Sequence, residues 1–111
     1  MAKRNIKISI GQGDQLIDLN YADLRQAVLT LRAIDHEIRQ KIIKVLQKNQ
    51  SMTVTEIFVA LRIEQSVASQ HLAVLRKAGV VFSERHGKFI HYSLNEEKLT
   101  EIAKLVENLI D

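Results

Sequence analysis

The 111-residue chain contains no cysteine, no proline and no tryptophan, and aromatic residues make up only 5% of it. Without cysteine there can be no disulfide, no thiolate metal ligand and no thiol redox switch. Without proline nothing obliges a helix to break, and with so few aromatic side chains the core must be mostly aliphatic. No apolar run approaches the roughly 20 residues that a membrane-spanning helix needs. These absences exclude a disulfide-stabilised domain and a protein that crosses a membrane by helices.

The remaining composition is that of one small globular domain. Hydrophobic residues make up 46% of the chain, which is enough for a core. Lys3 and Arg4 precede no apolar signal core, so we expect a cytoplasmic protein. Residues 6–10 alternate apolar and polar side chains, including Lys7, before a glycine-containing joint. We predict that residues 1–17 form a flexible arm or an edge strand whose cations can touch phosphate, and that residues 18–111 form a single domain.

Charge is distributed unevenly along the chain, whose net charge is +3. Residues 95–111 carry two lysines against five acidic residues, whereas residues 1–94 carry 14 lysines or arginines against eight acidic residues. The basic excess therefore belongs to the first 94 residues, and a symmetric dimer would double it. A basic surface is compatible with a polyanionic partner, and it is equally compatible with an ordinary solvated surface.

Apolar residues at three- and four-residue steps predict two helices in the first half of the chain. The first runs from about Tyr21 to Ala33, with Asn20 as its N-cap. The second runs from His36 to Lys48 and is predicted to be capped by Asp35. Its cations are expected to form a solvated face: Arg39, Lys41, Lys44 and Lys48.

A third helix follows a polar connection over residues 49–52 (NQSM). Thr53 and Glu56 have the spacing of a capping box, in which each side chain accepts a hydrogen bond from the other residue's backbone N–H. The apolar spacing predicts that this short helix turns Ile57, Ala60 and Leu61 inward.

A fourth helix over residues 64–78 is predicted to end at Gly79, where a residue with positive φ belongs. Two β-rich runs then flank residues 85–88 (RHGK), which can form a tight hairpin because Gly87 tolerates positive φ. Phe89, next along the chain, is expected to pack inward. The predicted fold is mainly α with a small β-hairpin, a winged helix-turn-helix with five helices and a two-stranded wing.

The outer side of the fourth helix is rich in short polar side chains, which a helix in the major groove needs to reach base edges. Ser66, Ser69 and Ala73 recur at three- and four-residue steps, so no bulky residue blocks this face. Gln65 and Gln70 can each donate and accept hydrogen bonds, as bidentate recognition of adenine requires. A polar helix face taken alone is more often ordinary solvated surface. The order of capped helix, short turn, polar-faced helix and basic hairpin favours double-stranded DNA as the partner.

Basic side chains lie where they can position the chain on the DNA backbone. Arg76 and Lys77 can reach phosphates from the end of the fourth helix, and Arg85 and Lys88 can enter a minor groove or follow phosphates from the hairpin. His71 is predicted to contact phosphate or to make a structural hydrogen bond. The predicted DNA-binding residues are Gln65, Ser66, Ser69, Gln70, His71, Arg76, Lys77, Arg85 and Lys88.

The last helix carries more apolar surface than one small core requires. Asn95 is its predicted N-cap, and seven apolar side chains lie within residues 99–110. We predict that the first and last helices bury an interface between two copies of the chain; the alternative is that both simply cover the core. The predicted interface residues are Leu24, Val28, Leu31, Ile102, Leu105, Val106 and Leu109.

Four segments together resemble the signature of ArsR-type winged-helix repressors: residues 53–57 (TVTEI), 65–72 (QSVASQHL), 75–81 (LRKAGVV) and 85–92 (RHGKFIHY). The resemblance covers about residues 20–110. It implies a homodimer built on the first and last helices, operator DNA read by the fourth helix and the wing, and repression relieved by an inducer. One departure is Arg62, where the family usually has glycine in the turn.

The metal sites that the resemblance implies have no matching ligands in this sequence. One family site uses a cysteine pair in the third helix, where this chain has residues 53–55 (TVT). Another uses Asp and His early in the last helix with His and an acid near its end, where this chain has residues 96–98 (EEK), Leu109 and Asp111. Lys98 is no useful ligand at neutral pH, and Leu109 has no donor atom. We therefore expect no metal and no cofactor, and the inducer stays unidentified.

Two further classes of function are alternatives to DNA binding. A winged-helix module that binds only other proteins would show weak or salt-insensitive DNA affinity. An enzyme would need a catalytic constellation, and the sequence has no Ser/His/Asp order, cysteine nucleophile or glycine-rich phosphate loop. His86 and His91 can approach each other across the hairpin, but two histidines without a third ligand make a weak zinc site. The sequence predicts a DNA-binding regulator that is not an enzyme.

Overall fold

The computed structural model describes residues 6–111, so the predictions about Lys3 and Arg4 lie outside the described residues. Its elements follow in this order: β1 (Lys7–Ile10), one 3-10 turn (Gly13–Gln15), β2 (Ile17–Asn20), α1 (Tyr21–Ile34), α2 (Glu37–Asn49), β3 (Ser51–Thr53), α3 (Val54–Leu61), α4 (Gln65–Lys77), β4 (Val81–His86), β5 (Phe89–Leu94) and α5 (Glu96–Ile110). The five helices and the β4–β5 hairpin agree with the predicted architecture. None of the helices in residues 6–111 has the length and hydropathy needed to cross a membrane.

The first two strands form an antiparallel hairpin that leads directly into α1. One face is polar, and Asp18 on it accepts a hydrogen bond from Ser9 (Oγ to Oδ1, 2.7 Å) and pairs with Lys7 (Nζ to Oδ2, 3.6 Å). The other face is apolar and solvent-exposed, with Ile8 opposite Leu19 across the strands. The predicted boundary between arm and domain falls at the first residue of β2, and the division itself stays a prediction.

Side-chain caps fix the starts of α1, α2, α3 and α5, and those of α1, α3 and α5 lie where the sequence predicts. Asn20 caps α1 by accepting from the backbone N–H of Ala22 at 2.8 Å. The predicted cap of α2 is wrong: His36, not Asp35, is the N-cap, and its Nδ1 accepts from the N–H of Ile38 at 3.1 Å. Asp35 instead closes α1, donating its backbone N–H to the carbonyl of Leu31, and is therefore engaged in ending the previous helix.

The connection before α3 is a strand rather than a loop. β3 pairs with β5, so the wing sheet has three strands in the order β3-β5-β4 and not two. Met52 lies opposite Tyr92 and is buried, which explains the apolar residue in an otherwise polar run. Thr53 ends β3 and begins α3, where the predicted capping box with Glu56 is present. The hydrogen bonds from the Thr53 backbone and hydroxyl lower the pKa of the Glu56 carboxyl.

The core is aliphatic, as the composition requires. It lies where α2, α3 and α4 meet the inner face of the wing sheet. Burial of each such side chain stabilises the fold by roughly 1.5–3 kcal/mol. The large side chains that are completely or almost completely buried are Ile42, Leu46, Ile57, Leu72, Leu75, Val80 and Val81.

Three side chains lie differently from their predicted environment. Phe89 was expected to pack inward, but it is 52% exposed because it is paired with His86 at the far end of the hairpin, beyond the body of the domain. Ala60 is exposed at the edge of the apolar stripe of α3 instead of facing inward. Arg39 was assigned to a solvated face, but it is half-buried and its Nη1 donates to the carbonyl of Ala33 at 3.1 Å.

Candidate nucleic-acid interface

The turn between α3 and α4 is short because α3 ends in a left-handed residue. Arg62 has φ 56° and ψ 45°, and the N–H of Ile63 reaches back to the carbonyl of Phe58 at 3.1 Å. This hydrogen bond and the positive φ are those of a Schellman helix end, which usually takes glycine. The glycine that the family pattern has at this position therefore has a structural reason, and Arg62 adopts the same geometry with a side chain.

The α4 helix has one buried and one open side. Ala68 and Leu72 are fully buried against the core. The predicted base-reading residues, Gln65, Ser66, Ser69 and Gln70, are all exposed. Among the hydrogen bonds of residues 6–111, none uses these four side chains. The helix thus presents donors and acceptors that the protein itself leaves free.

His71 occupies a different position on α4 from the four exposed polar residues. Its ring is half-buried and lies against the ring of His36, with the centroids 4.5 Å apart and the planes tilted by 49°. Burial, followed by the charges of His36 and Arg39, lowers the pKa of His71. The shift favours the neutral form of the ring, which lies at a junction between α4 and the start of α2.

The end of α4 places two cations beside the turn into the wing. Arg76 and Lys77 lie in its last turn and are exposed. Cations at this position also stabilise the helix, because they interact favourably with the negative end of its dipole. Gly79 has φ 78°, and the N–H of Val80 bonds to the carbonyl of Leu75 at 2.9 Å, so α4 ends as predicted.

The wing tip is a two-residue turn between paired His86 and Phe89. Gly87 supplies the positive φ, 64°, that a tight hairpin needs at its first loop position. Lys88 occupies the second position, and its Nζ lies 5.5 Å from the centre of the Phe89 ring. Arg85 is exposed one residue before the tip pair. Both predicted wing cations therefore project at the narrow end of the sheet.

The histidines of the wing come together as a pair. The rings of His86 and His91 lie 5.1 Å apart, edge to face, and His86 Nε2 is 3.6 Å from a carboxylate oxygen of Glu84. Across residues 6–111, no group of three His, Cys, Asp or Glu side chains is arranged to hold a metal ion.

Helices α1 and α5 leave apolar side chains uncovered. Residues of both helices, including Leu31, Ile102 and Leu105, line a groove of about 280 Å³. Beyond the groove, Leu109 is 70% exposed near the end of α5. Of the other predicted interface residues, Leu24 and Val106 are exposed and Val28 is half-buried. The predicted interface residues therefore form a partly open apolar surface on these two helices.

A second cluster of cations was not found by sequence reasoning. Arg32, Arg39, Lys77 and Lys98 come from four different helices and line one groove. Their sequence separations carry no common period, so no pattern in the sequence predicts that they meet.

Comparison with known proteins indicates the same class of regulator as the sequence motifs do. Residues 36–83 match the family described as bacterial regulatory protein, arsR family. The transcriptional repressor PagR of Bacillus anthracis is 35% identical over 88 residues, which are 79% of this chain and 88% of PagR. The crystal structure of PagR superposes with a TM-score of 0.65 at 36% identity, covering 78% of this chain and 98% of that chain.

Two further relatives extend the comparison. The transcriptional activator HlyU of Vibrio cholerae is 32% identical over 84 residues, 76% of this chain and 77% of HlyU. The solution structure of Mb0332 from Mycobacterium bovis, described as a homodimeric winged helix-turn-helix DNA-binding domain, has a TM-score of 0.70 at 25% identity and covers 92% of this chain and 90% of that chain. These likenesses confirm the predicted winged helix-turn-helix fold. The chain belongs to the arsR family of bacterial regulatory proteins.

Proposed function

We propose that the protein is a sequence-specific DNA-binding repressor that acts as a homodimer on a palindromic operator. The observation that carries the proposal is the outer face of α4, where Gln65, Ser66, Ser69 and Gln70 are exposed and unengaged. Short side chains allow the helix to approach the floor of the major groove, and each glutamine can address an adenine with two hydrogen bonds.

The cations around α4 complete the interface by contacting the backbone. Arg76 and Lys77 flank the reading face at the end of the helix, and Arg85 and Lys88 extend it along the wing. Such contacts fix the register of the protein on DNA and supply most of the non-specific affinity. We also propose that His71 contributes to DNA binding from the edge of α4, where its ring lies against that of His36.

The dimer is proposed to form through α1 and α5. An isolated chain leaves apolar side chains of both helices exposed to solvent, and a second copy would cover them. The exposed residues include Leu24, Leu105, Val106 and Leu109. Mb0332, similar in fold, is described as homodimeric. Two copies related by a two-fold axis would present their α4 helices to half-sites about one helical turn apart, roughly 34–36 Å.

Regulation is proposed to proceed without the two metal sites known in the family. Residues 53–55 carry no cysteine, and Leu109 replaces a required donor at the end of α5. Because PagR is described as a repressor and HlyU as an activator, the direction of control is part of the test.

The test begins with selection of genomic fragments that the protein binds, followed by transcription from the selected promoters with and without the protein. Repression of transcription supports the proposal, and activation would contradict that part of it. On the selected site, Gln70→Ala should weaken binding by about 1–3 kcal/mol and relax the preference for one base pair. Gln47→Ala, at an exposed position of α2, is the matched control and should change neither.

The outcome separates the competing functions. If Gln70→Ala and Gln47→Ala behave alike, the α4 face does not read bases. If the protein binds DNA weakly and without dependence on salt, it is a protein-interaction module rather than a DNA-binding regulator.

A further inference from the structure

A basic groove lies beside α4 on a side that faces away from the core, and it shares Lys77 with the proposed DNA surface. It has a volume of about 670 Å³ and is formed by the second half of α1, the end of α4 and the first turns of α5, with Arg39 from α2. Within residues 6–111, the cations that line it are Arg32, Arg39, Lys77 and Lys98, and no acidic side chain belongs to the lining.

The four cations have no carboxylate partner within the part of the chain that the structure describes. Ion pairs are formed elsewhere, by Lys41 with Glu37 and by Lys7 with Asp18. Arg39 is half-buried, and its Nε is buried without a hydrogen-bond partner. A buried guanidinium N–H that lacks an acceptor is costly, so Arg39 is a groove cation whose hydrogen-bonding capacity the protein leaves incomplete.

The basic groove has a smaller neighbour with acidic residues in its lining. Asp23 and Glu101 belong to the groove of about 280 Å³ between α1 and α5, which shares Lys98, Gln26 and Thr30 with the basic groove. Arg32, Arg39 and Lys77 do not line that acidic neighbour, so the anionic group of a ligand is attracted towards them.

The rest of the lining is apolar and favours a ligand with a hydrocarbon body. Leu29 and Val74 are large apolar side chains with substantial exposure, and Ala33 and Ala78 lie beside them. A volume of about 670 Å³ is within the range of sites that hold small organic molecules. Inorganic phosphate would leave this apolar lining uncovered, whereas a fatty acid or an aryl acid would cover it.

We propose that this groove binds a small organic anion, a carboxylate or phosphate ester with an apolar body, and that its occupancy weakens DNA binding. The second part rests on the proposed function, in which Lys77 contacts a DNA phosphate. A ligand anion neutralises Lys77 on the groove side, so DNA and ligand compete for the same charge. By linkage, DNA weakens the affinity for the ligand by the same factor.

The binding test uses octanoate as the probe, with octanamide and octylammonium as matched neutral and cationic probes. Amide chemical shifts of the isotope-labelled protein are followed during titration without DNA. Octanoate should bind at least about tenfold more tightly than octanamide, as expected for a charge-assisted hydrogen bond, and shift the amides of Thr30, Val74 and Ala78. Equal affinity for octanamide, or shifts confined to another surface, would overturn the proposal.

Variants locate the site. Arg32→Gln with Lys98→Gln removes two cations of the groove and should weaken octanoate binding about tenfold or more. Lys44→Gln with Lys48→Gln removes the same charge from the exposed face of α2 and should leave octanoate binding unchanged. Arg32→Gln alone, at an exposed position, should weaken binding in the same direction. An equal loss in the groove variants and in the α2 control would overturn the assignment.

A second measurement tests the link to DNA. At constant sodium concentration, saturating octanoate should weaken binding to the selected operator, and octanamide should not. Unchanged operator affinity would overturn the competition at Lys77, while the groove titration, which uses no DNA, judges the binding site separately. A protein that binds octanoate in the groove but binds no DNA would refute the proposed function and leave the site in place.

Discussion

Arg62 offers a test of the backbone geometry at the centre of the helix-turn-helix. Helices α3 and α4 end in the same way, with a left-handed residue followed by a residue whose N–H reaches back five positions. At the end of α4 the left-handed residue is Gly79, with φ 78°, and at the end of α3 it is Arg62, with φ 56°. The same conformation is therefore adopted once without a Cβ and once with one.

Two opposing contributions determine how much Arg62→Gly changes the free energy of unfolding. A left-handed conformation costs a residue with a Cβ roughly 1–2 kcal/mol. Glycine avoids this cost but loses about 0.5–1 kcal/mol more in conformational entropy on folding. Arg62→Gly should therefore raise the free energy of unfolding by about 0.5–1 kcal/mol. For a domain of this size that corresponds to an increase of the thermal midpoint by about 2–5 °C.

The assay is urea unfolding followed by circular dichroism at one fixed protein concentration, because dimerisation makes apparent stability depend on concentration. Arg62→Ala separates the backbone from the side chain: it keeps the Cβ, so it should not be stabilised. Gln47→Gly places glycine at an exposed position inside α2 and should be destabilised by about 1 kcal/mol. Operator affinity of Arg62→Gly should match that of the parent protein.

Equal or lower stability of Arg62→Gly relative to Arg62→Ala would refute this prediction. Because both variants lack the arginine side chain, that result would mean that the left-handed conformation at residue 62 costs no more than the conformational entropy that glycine loses on folding.

Three other predictions follow from the surfaces of the molecule. Leu105→Glu or Val106→Glu places a charge in the proposed α1–α5 interface, so each variant should sediment as a monomer at a concentration at which the parent is a dimer. Arg85→Ala or Lys88→Ala removes one proposed phosphate contact, so binding to all DNA sequences should weaken and the slope of log affinity against log salt should fall by about 0.9. The pKa of His71 is lowered by burial, so the unfolded chain takes up the proton first; the contribution to stability is present above about pH 6.5 and is lost as the pH falls through the lower folded-state pKa.

Two of these predictions have a matched control variant, and the third is tested by replacing His71. Val59→Glu adds the same charge at an exposed position of α3 and should not change sedimentation; a dimer that persists in both interface variants rules out the interface. Lys44→Ala should leave the salt slope unchanged, and an unaltered slope in the wing variants removes the wing from the DNA contacts. His71→Gln should remove the part of the loss of stability that sets in as the pH falls below about 6.5 because of this histidine. The lowered pKa of Glu56 contributes a further loss as the pH falls below its ordinary value of 4.5, so the difference between His71→Gln and the parent protein measures the histidine.

Features set by local chemistry could be predicted from the sequence. The N-caps at Asn20, Thr53 and Asn95 are confirmed because each depends on a side chain and a backbone N–H two or three residues away. Gly79 is confirmed as the end of α4 for a similar reason, since positive φ is a property of that residue. The outer face of α4 follows from the helical period alone.

Features set by distant partners could not be predicted. β3 is a strand because Ser51 lies opposite Ser93, and three residues carry too little pattern to show this. Phe89 is exposed because the hairpin carries it past the end of the core, a distance that strand propensity does not encode. The sequence does not predict the basic groove because its cations come from different helices. The helical period also groups Arg39 with the solvated cations of α2 rather than with the groove.

The α4 helix has three sides with different surroundings, and it connects the basic groove to the DNA-reading face. Its inner side is buried at Leu72 and Leu75, its outer side carries Gln70, and its third side lines the groove with Val74 and Lys77. A ligand in the groove can therefore act on DNA binding through charge at Lys77 or by moving α4 as a body relative to α1. Charge acting across the surface is screened as salt rises, whereas a displacement of the helix is not. The charge route predicts that the effect of octanoate on operator affinity shrinks from low to high salt, and an effect that stays constant would favour displacement of α4.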